Sequence, residues 1–145
     1  MPDVIKLLEK DHREVEDLFA KAESTTGAAK QQVVTKIASE LTIHADVEEQ
    51  YVYPAMREAG LSDLVEEAET EHQKVKDLVS QLEAMDGSTA VVDPVLAELK
   101  SNVELHVKEE ESEAFPKFRS AVDASTLQTL GDDVQAAKDE AQSAA

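Results

Sequence analysis

Histidines, two of them followed by glutamates, are the residues of this chain whose types and spacing point most directly to chemistry. The chain has four histidines, and the glutamates four positions after His44 and His106 complete the set His12, His44, Glu48, His72, His106 and Glu110. Side chains four positions apart on an α-helix project from one face, because about 3.6 residues complete a turn. Each HxxxE pair can therefore bind a metal ion from adjacent turns. Imidazole with carboxylate suits iron, manganese or zinc, whereas calcium and magnesium prefer oxygen ligands alone.

These histidines also fall on an internal repeat. Residues 11–18 match residues 71–78 in an acidic residue, His, Val, Asp and Leu, and residues 44–54 match residues 106–116 in His, Glu, an aromatic residue and Pro. Histidines placed for packing or solubility would have no reason to occupy equivalent positions in both halves. We therefore predict two half-sites that face each other, each with two histidines, with the two glutamates able to bridge two metal ions.

Simpler interpretations exist for each residue taken alone. A single HxxxE pair on an acidic helix is usually an exposed ion pair, and a lone histidine is usually a hydrogen-bonded core residue. Four acidic residues flank the ligands and are interpreted as solvated or supporting carboxylates: Asp46, Glu49, Glu109 and Glu111. Tyr51 lies three residues after Glu48, so we expect it on the ligand face, either as a core aromatic or beside the metal.

Apolar residues at helical spacing predict four long helices and a short fifth one. The predicted helices cover residues 3–23, Ala28 to one turn beyond Pro54, Ser62 or Asp63 to Met85, Asp93 to Arg119, and a segment after Asp123. Asp3 and Asp93 are the expected N-caps, with Pro94 in the first turn of the fourth helix. Long helices joined by short loops are typical of a bundle. The predicted fold is all-α, an up-down-up-down antiparallel four-helix bundle over residues 1–122, followed by a short C-terminal helix and frayed tail over residues 123–145.

Charge and composition exclude several classes of protein. The formal net charge of −18 disfavours nucleic acids and anionic membranes as partners, since a protein that binds either of them needs a basic surface. With no cysteine, the chain has no disulfide, thiolate metal site or thiol nucleophile. The N-terminal residues carry charges throughout and lack an apolar signal core, so we expect a cytoplasmic protein.

The pattern DHxxV…HxxxE…YP…H…HxxxE…FP resembles that of the hemerythrin-like proteins, the HHE cation-binding family, over about residues 4–119. The resemblance implies an antiparallel four-helix bundle that holds an oxo- or hydroxo-bridged pair of iron ions. By the same resemblance, His12, His44 and Glu48 are the ligands from the first half, and His72, His106 and Glu110 those from the second.

The chain departs from the oxygen-carrying hemerythrins in two places. Those proteins have a further histidine where this chain has Lys76, and they place the last carboxylate one residue later, where this chain has both Glu110 and Glu111. The sequence is thus similar to a four-histidine branch that includes an iron-sensing ubiquitin-ligase domain and bacterial stress proteins. Lys76 and Tyr51 are candidates to donate a proton near the metal. Ferritin-like sites use Glu-x-x-His, carboxylate first, and do not match this spacing.

Three functions follow as hypotheses. The leading one is a di-iron protein, peroxidase- or catalase-like if it is an enzyme, that reacts with peroxide, NO or O₂ in stress protection and receives electrons from an unidentified donor. The second is a module that binds, stores or senses iron or O₂ without turnover. The third is an acidic bundle with a structural zinc ion.

Overall fold

In the computed structural model, residues 3–144 are described, and every regular element among them is a helix. The α-helices are α1 Val4–Glu23, α2 Gly27–Val47, α3 Tyr53–Glu58, α4 Ser62–Glu83, α5 Asp93–Glu109, α6 Phe115–Ala121 and α7 Ala124–Ala144. None of them has the length and apolar character needed to cross a membrane. The all-helical class predicted from the sequence is confirmed over this part of the chain. Residues 1–2 and 145 of the predicted domain and tail lie outside the described residues.

Two π-helical turns make longer helices out of shorter ones. Glu48–Val52 joins α2 to α3, and Glu110–Ala114 joins α5 to α6. In each turn the next residue donates its N–H five positions back, from Tyr53 to the Glu48 carbonyl and from Phe115 to the Glu110 carbonyl. A proline follows both aromatic residues and has no N–H to continue the regular ladder. The two turns occupy equivalent positions of the internal repeat, and each begins at a candidate ligand.

One of the two predicted N-caps is confirmed. The Asp3 side chain accepts a hydrogen bond from the Lys6 N–H at 2.9 Å and caps α1. The prediction for Asp93 is wrong, because Asp93 is itself the first residue of α5 and caps nothing with its side chain. Its carboxylate instead accepts a hydrogen bond from the Lys30 ammonium at 2.6 Å. Lys30 is buried, so its charge needs a partner of opposite sign. A 3₁₀ turn over Ala90–Val92 leads into α5.

The C-terminal helix is longer than predicted. Helix α7 has 21 residues and contacts both α1 and α2. It buries Leu127 and Val134, and further along also Lys138. The prediction of a short helix is wrong. It rested on large apolar residues, which end at Val134, whereas the buried ion pair of Lys138 with Asp11 extends the packing of α7 beyond them.

Two apolar clusters enclose a polar layer. The Phe19 cluster includes Val15, Leu41, Val75 and Val103, and the Phe118 cluster includes Leu8, Val47, Ala68 and Ala114. Helix α1 packs on α2, α4 on α5, α2 on α4 and α1 on α5. Along these four helices the candidate ligands fall between residues of the two clusters. The ligands are thus held in the middle of the molecule by packing on both sides.

Candidate metal centre

All six candidate ligands meet in one buried place. Each of them is buried, and Glu48 is completely so. They form two triads in which one ligand atom from each residue lies within 4.8 Å of the others: His12, His44 and Glu110 in the first triad, and His72, His106 and Glu48 in the second. The histidine pair of each triad comes from one half of the repeat and the glutamate from the other half. The two halves therefore interlock through their carboxylates.

The two glutamates lie between the triads. Glu48 Oε1 is 3.1 Å from the Nε2 atoms of both His44 and His72, one from each triad. Glu110 reaches the other two histidines, with Oε1 3.2 Å from His12 Nε2 and Oε2 3.4 Å from His106 Nε2. Each carboxylate thus lies beside histidines of both triads.

Four further acidic residues, the outer carboxylates, accept hydrogen bonds from the other side of the histidine rings. The pairs from Nδ1 to carboxylate oxygen are His12–Glu111 at 2.7 Å, His44–Asp11 at 3.0 Å, His72–Glu49 at 2.8 Å and His106–Glu71 at 2.7 Å. A proton held on Nδ1 leaves the Nε2 lone pair facing the centre, which is the orientation that metal-binding histidines need. Glu49 and Glu111 thus have the supporting role that was one of their two interpretations, whereas Asp11 and Glu71 were not predicted from the sequence.

The repeat carried a signal for the outer carboxylates. Asp11 and Glu71 each precede a histidine in register, and Glu49 and Glu111 each follow a ligand glutamate. Of the other flanking residues, Asp46 is exposed, as one interpretation expected. The carboxyl of Glu109 shares a hydrogen bond with Glu71, which raises the pKa of Glu109 to about 7.

Tyr53, and not Tyr51, lies at the centre. The Tyr53 hydroxyl donates to Glu110 Oε2 at 3.0 Å and lies 3.1 Å from His72 Nε2. Tyr51 is half-buried against the Phe118 cluster, which agrees with its interpretation as a core aromatic. The alternative place beside the metal is wrong, because the π turn after Glu48 inserts an extra residue, so that the fifth position, not the third, returns to the ligand face.

The tyrosine makes the two triads unequal. Its equivalent in the repeat is Phe115, whose ring stacks on His12 with centroids 6.0 Å apart and planes at 5°. The second triad therefore has a hydroxyl beside it, and the first has an apolar ring in the same place. A reaction that needs a proton donor would favour the second triad.

Lys76 does not face the ligands. Its ammonium donates to Glu49 Oε1 at 2.8 Å, and its side chain is 41% exposed. It acts on His72 only through Glu49. Direct proton donation at the metal, expected for Lys76 from its sequence position, is not supported by this placement.

Electrostatics at the centre favours bound positive charge. Burial opposes the charged form of His44, but Glu48 beside it and Asp11 on its ring outweigh this and raise its pKa to about 10. Burial likewise opposes the charged form of His106, and Glu110 raises its pKa well above the usual value. Burial, reinforced by Glu48 and Glu110, raises the pKa of Tyr53, so its hydroxyl keeps its proton. Without a metal ion, the site holds protons that a cation would replace.

Unsatisfied atoms show that the residues fit metal ions. Among the described residues, four buried side-chain atoms have no hydrogen-bond partner: His12 Nε2, His44 Nε2, Glu48 Oε2 and Glu110 Oε1. In addition, His72 Nε2 and His106 Nε2 lie 3.1 Å apart, where two lone pairs repel unless a proton or cation intervenes. Ligand atoms at right angles, each about 2.1 Å from one ion, would be about 3 Å apart. The donor set and its spacing therefore suit bound transition metals.

A small apolar cavity adjoins the histidines. Its volume is about 30 Å³, and all four histidines line it together with apolar side chains that include Val15, Leu41, Val75, Val103 and Val107. One water-sized molecule needs roughly 10–15 Å³ on this scale. The cavity can thus admit a ligand of two or three atoms, but nothing much larger.

Comparisons with known proteins agree with this geometry. In fold, the chain is similar to a hemerythrin HHE cation-binding domain-containing protein from Mycobacterium kansasii, with a TM-score of 0.87 and 23% identity over 99% of this chain and 90% of that one. A DNA nickase from Nostoc sp. is 28% identical over 141 residues, which are 97% of this chain but 39% of that protein. The chain thus spans about two fifths of that relative's length. The family described as Hemerythrin HHE cation binding domain matches residues 3–118, which include all six candidate ligands. This chain therefore belongs to the hemerythrin HHE cation-binding family.

Proposed function

We propose that this HHE domain binds two iron ions and reacts with hydrogen peroxide, NO or O₂, in protection against oxidative stress. The observation that carries the proposal is the pair of interlocked triads, which share Glu48 and Glu110 and adjoin the apolar cavity of about 30 Å³. Membership of the family implies that the domain binds cations, and imidazole with carboxylate suits iron. An oxo or hydroxo bridge between the ions is part of the proposal.

The residues of the chain have separate roles in this proposal. His12, His44 and Glu110 would hold one ion, and His72, His106 and Glu48 the other, with each glutamate reaching the neighbouring triad. When bound, the iron ions would supply Lewis-acid and redox chemistry to a small ligand. The outer carboxylates keep the imidazole rings in the required tautomer.

Tyr53 supplies a proton at a defined atom. Its hydroxyl is held by Glu110 Oε2 and lies beside His72, on the second triad. Burial keeps the phenol protonated. The cavity of about 30 Å³ lies among side chains of the Phe19 cluster, whereas Tyr53 belongs to the Phe118 cluster, so a small ligand would meet this hydroxyl at the second triad itself. Reduction of hydrogen peroxide to two water molecules consumes two protons and two electrons; this hydroxyl would give one of the protons, and the proposed external donor the electrons.

The direction of each helix supports the proposed up-down-up-down order of the bundle. Along α1 and α4 the chain passes from the Phe118 cluster to the Phe19 cluster, and along α2 and α5 it passes back. A cytoplasmic location and an external electron donor complete the proposal, on the basis of the sequence alone.

The activity named for the Nostoc relative gains no support from this chain. DNA binding requires basic side chains that neutralise phosphates, and this chain has 32 acidic residues against 14 basic ones. The relative is also much longer than the segment matched here. We therefore propose no nucleic-acid partner for this domain.

The test is anaerobic reconstitution with ferrous iron, followed by metal analysis and rapid mixing with peroxide, NO and O₂. We expect two irons per chain and repeated consumption of peroxide or NO, abolished in His72→Ala and retained in the control Gln73→Ala, whose side chain is exposed on the same helix. Reaction without turnover would assign the domain to binding or sensing. A single zinc ion that iron cannot displace would support the structural-zinc hypothesis and contradict the proposal.

A further inference from the structure

One ligand of the centre is supported from outside the segment that matches the family. The family match ends at residue 118, and α7 begins at Ala124. Helix α7 nevertheless packs on α1 and α2, and its Lys138 side chain is buried. The Lys138 ammonium donates to Asp11 Oδ1, while the other oxygen, Oδ2, accepts from His44 Nδ1 at 3.0 Å. A continuous chain of contacts thus runs from α7 to a candidate ligand.

This contact differs from the two equivalent ones elsewhere in the centre. Glu111 is paired with Arg13 at 2.5 Å and Glu49 with Lys76 at 2.8 Å, but these basic side chains are 53% and 41% exposed. The Lys138 and Asp11 side chains are only 11% and 5% exposed. Water can replace an exposed cation as a partner of a carboxylate, whereas a buried carboxylate that loses its partner stays unsatisfied.

We infer that Lys138 is a positioning residue of the metal centre: it fixes the Asp11 carboxylate, which in turn fixes the ring and tautomer of His44. The inference rests on the proposed function, and it makes α7 a functional part of the first triad. Among the described residues, neither outer carboxylate of the second triad pairs with a side chain of α7. Glu49 pairs with Lys76 of α4, and Glu71 shares a hydrogen bond with Glu109. Loss of the Lys138 charge should therefore weaken one ion and leave the other unaffected.

The test is an anaerobic titration of the full chain with Fe²⁺ alone, in the parent and in Lys138→Met, which keeps an unbranched side chain one atom shorter and removes its charge. We expect the affinity for one of the two ions to fall by about 10–100-fold, as is typical when the partner that orients a metal-binding histidine is lost. The second ion should bind as in the parent. Lys138→Arg, which keeps the charge, should restore most of the lost affinity.

A matched control separates positioning from general stability. Lys30 is also a buried lysine paired with an aspartate, Asp93, but it lies at the Phe19 cluster and away from the ligands. Lys30→Met should reduce the free energy of unfolding and leave both iron affinities as in the parent. If it weakens one ion as much as Lys138→Met does, the effect is one of stability and the inference is wrong.

A spectroscopic measurement follows His44 itself. In zinc-loaded protein labelled with ¹⁵N-histidine, the Nδ1–H signal of His44 should be lost or shifted in Lys138→Met, while that of His72 persists. If Lys138→Met does not fold, Lys138→Gln takes its place, since an uncharged donor holds a carboxylate more weakly. A parent that binds fewer than two ions contradicts the proposed function. A parent that binds two, with both affinities and the His44 signal unchanged in the variants, contradicts only the role of Lys138.

Discussion

At the scale of single residues, the tyrosine at the centre has one function that a phenylalanine cannot supply. The Tyr53 hydroxyl is the nearest uncharged proton donor to Glu110 and His72, and Phe115 occupies the equivalent place in the other half. Positioned proton transfer typically contributes about 10²–10⁴ in rate. We expect Tyr53→Phe to keep both irons and to slow peroxide consumption by about 100-fold or more.

Rapid mixing with peroxide checks this prediction, with iron content measured on the same samples. Tyr51→Phe is the control, because Tyr51 is only half-buried and lies outside the centre. Equal rates for Tyr53→Phe and the parent would show that the proton comes from elsewhere.

The raised pKa of His44 predicts how the metal-free protein responds to pH. Its folded pKa of about 10 lies above the ordinary value of 6.5, so the protonated ring stabilises the folded state fully below about pH 6.5. That contribution is lost as the pH rises towards 10, by up to about 1.4 kcal/mol per pH unit for one proton. We expect the unfolding free energy of metal-free protein to fall over this range.

Urea unfolding at several pH values measures this slope. Iron-loaded protein should show a smaller slope, because a bound cation takes the place of the proton. Metal-free His44→Asn should also show a smaller slope than metal-free parent. Stability of the metal-free parent that stays constant between pH 6.5 and 10 would contradict the assigned shift.

At the scale of elements, the sequence predicts the helices better than it predicts their faces. Apolar spacing and Asp3 located α1 well, and the histidine repeat located all six candidate ligands. The π turns were not predicted, because one inserted residue hardly changes an apolar pattern over 30 positions. That single residue exchanges Tyr51 for Tyr53 at the centre. Lys138 was not identified either, since its contact with Asp11 joins residues far apart in the chain.

The position of the ligands on four helices predicts where metal removal loosens the fold. Each triad takes ligands from three helical segments, so a bound ion would cross-link these segments. Without the ion, the same segments hold acidic side chains and imidazoles close together with no cation between them. Removal of iron should lower the melting temperature, since an ion that binds only the folded state stabilises it.

Hydrogen exchange locates the effect of metal removal. We expect amide protection to fall most over residues 44–48 and 106–110, between the two apolar clusters, and least around Phe19 and Ile37 in the core of the Phe19 cluster. A uniform loss of protection, or an unchanged melting temperature, would show that the ions do not link the helices.

At the scale of the whole molecule, charge decides which partners the domain can approach. The net charge of −18 repels polyanions, and such long-range repulsion weakens as salt screens it. The outer carboxylates and the acidic group Glu67, Glu71 and Glu109 add negative potential near the centre. We expect this field to attract metal cations and to repel DNA.

We therefore predict that the iron-loaded domain neither binds DNA nor nicks it enzymatically, although the longer Nostoc relative is named a DNA nickase. We expect no mobility shift of a DNA duplex at low salt, where attraction to phosphates would be strongest. Iron released in the presence of peroxide can break DNA by itself, so supercoiled plasmid is incubated with the loaded domain, with an equal amount of free iron, and with the domain plus a hydroxyl-radical scavenger. Any nicking should match that of free iron and disappear with the scavenger. Nicking that resists the scavenger and is lost in His72→Ala would show that the metal centre acts on DNA in spite of the charge, and would replace the small-oxidant proposal with a nuclease one.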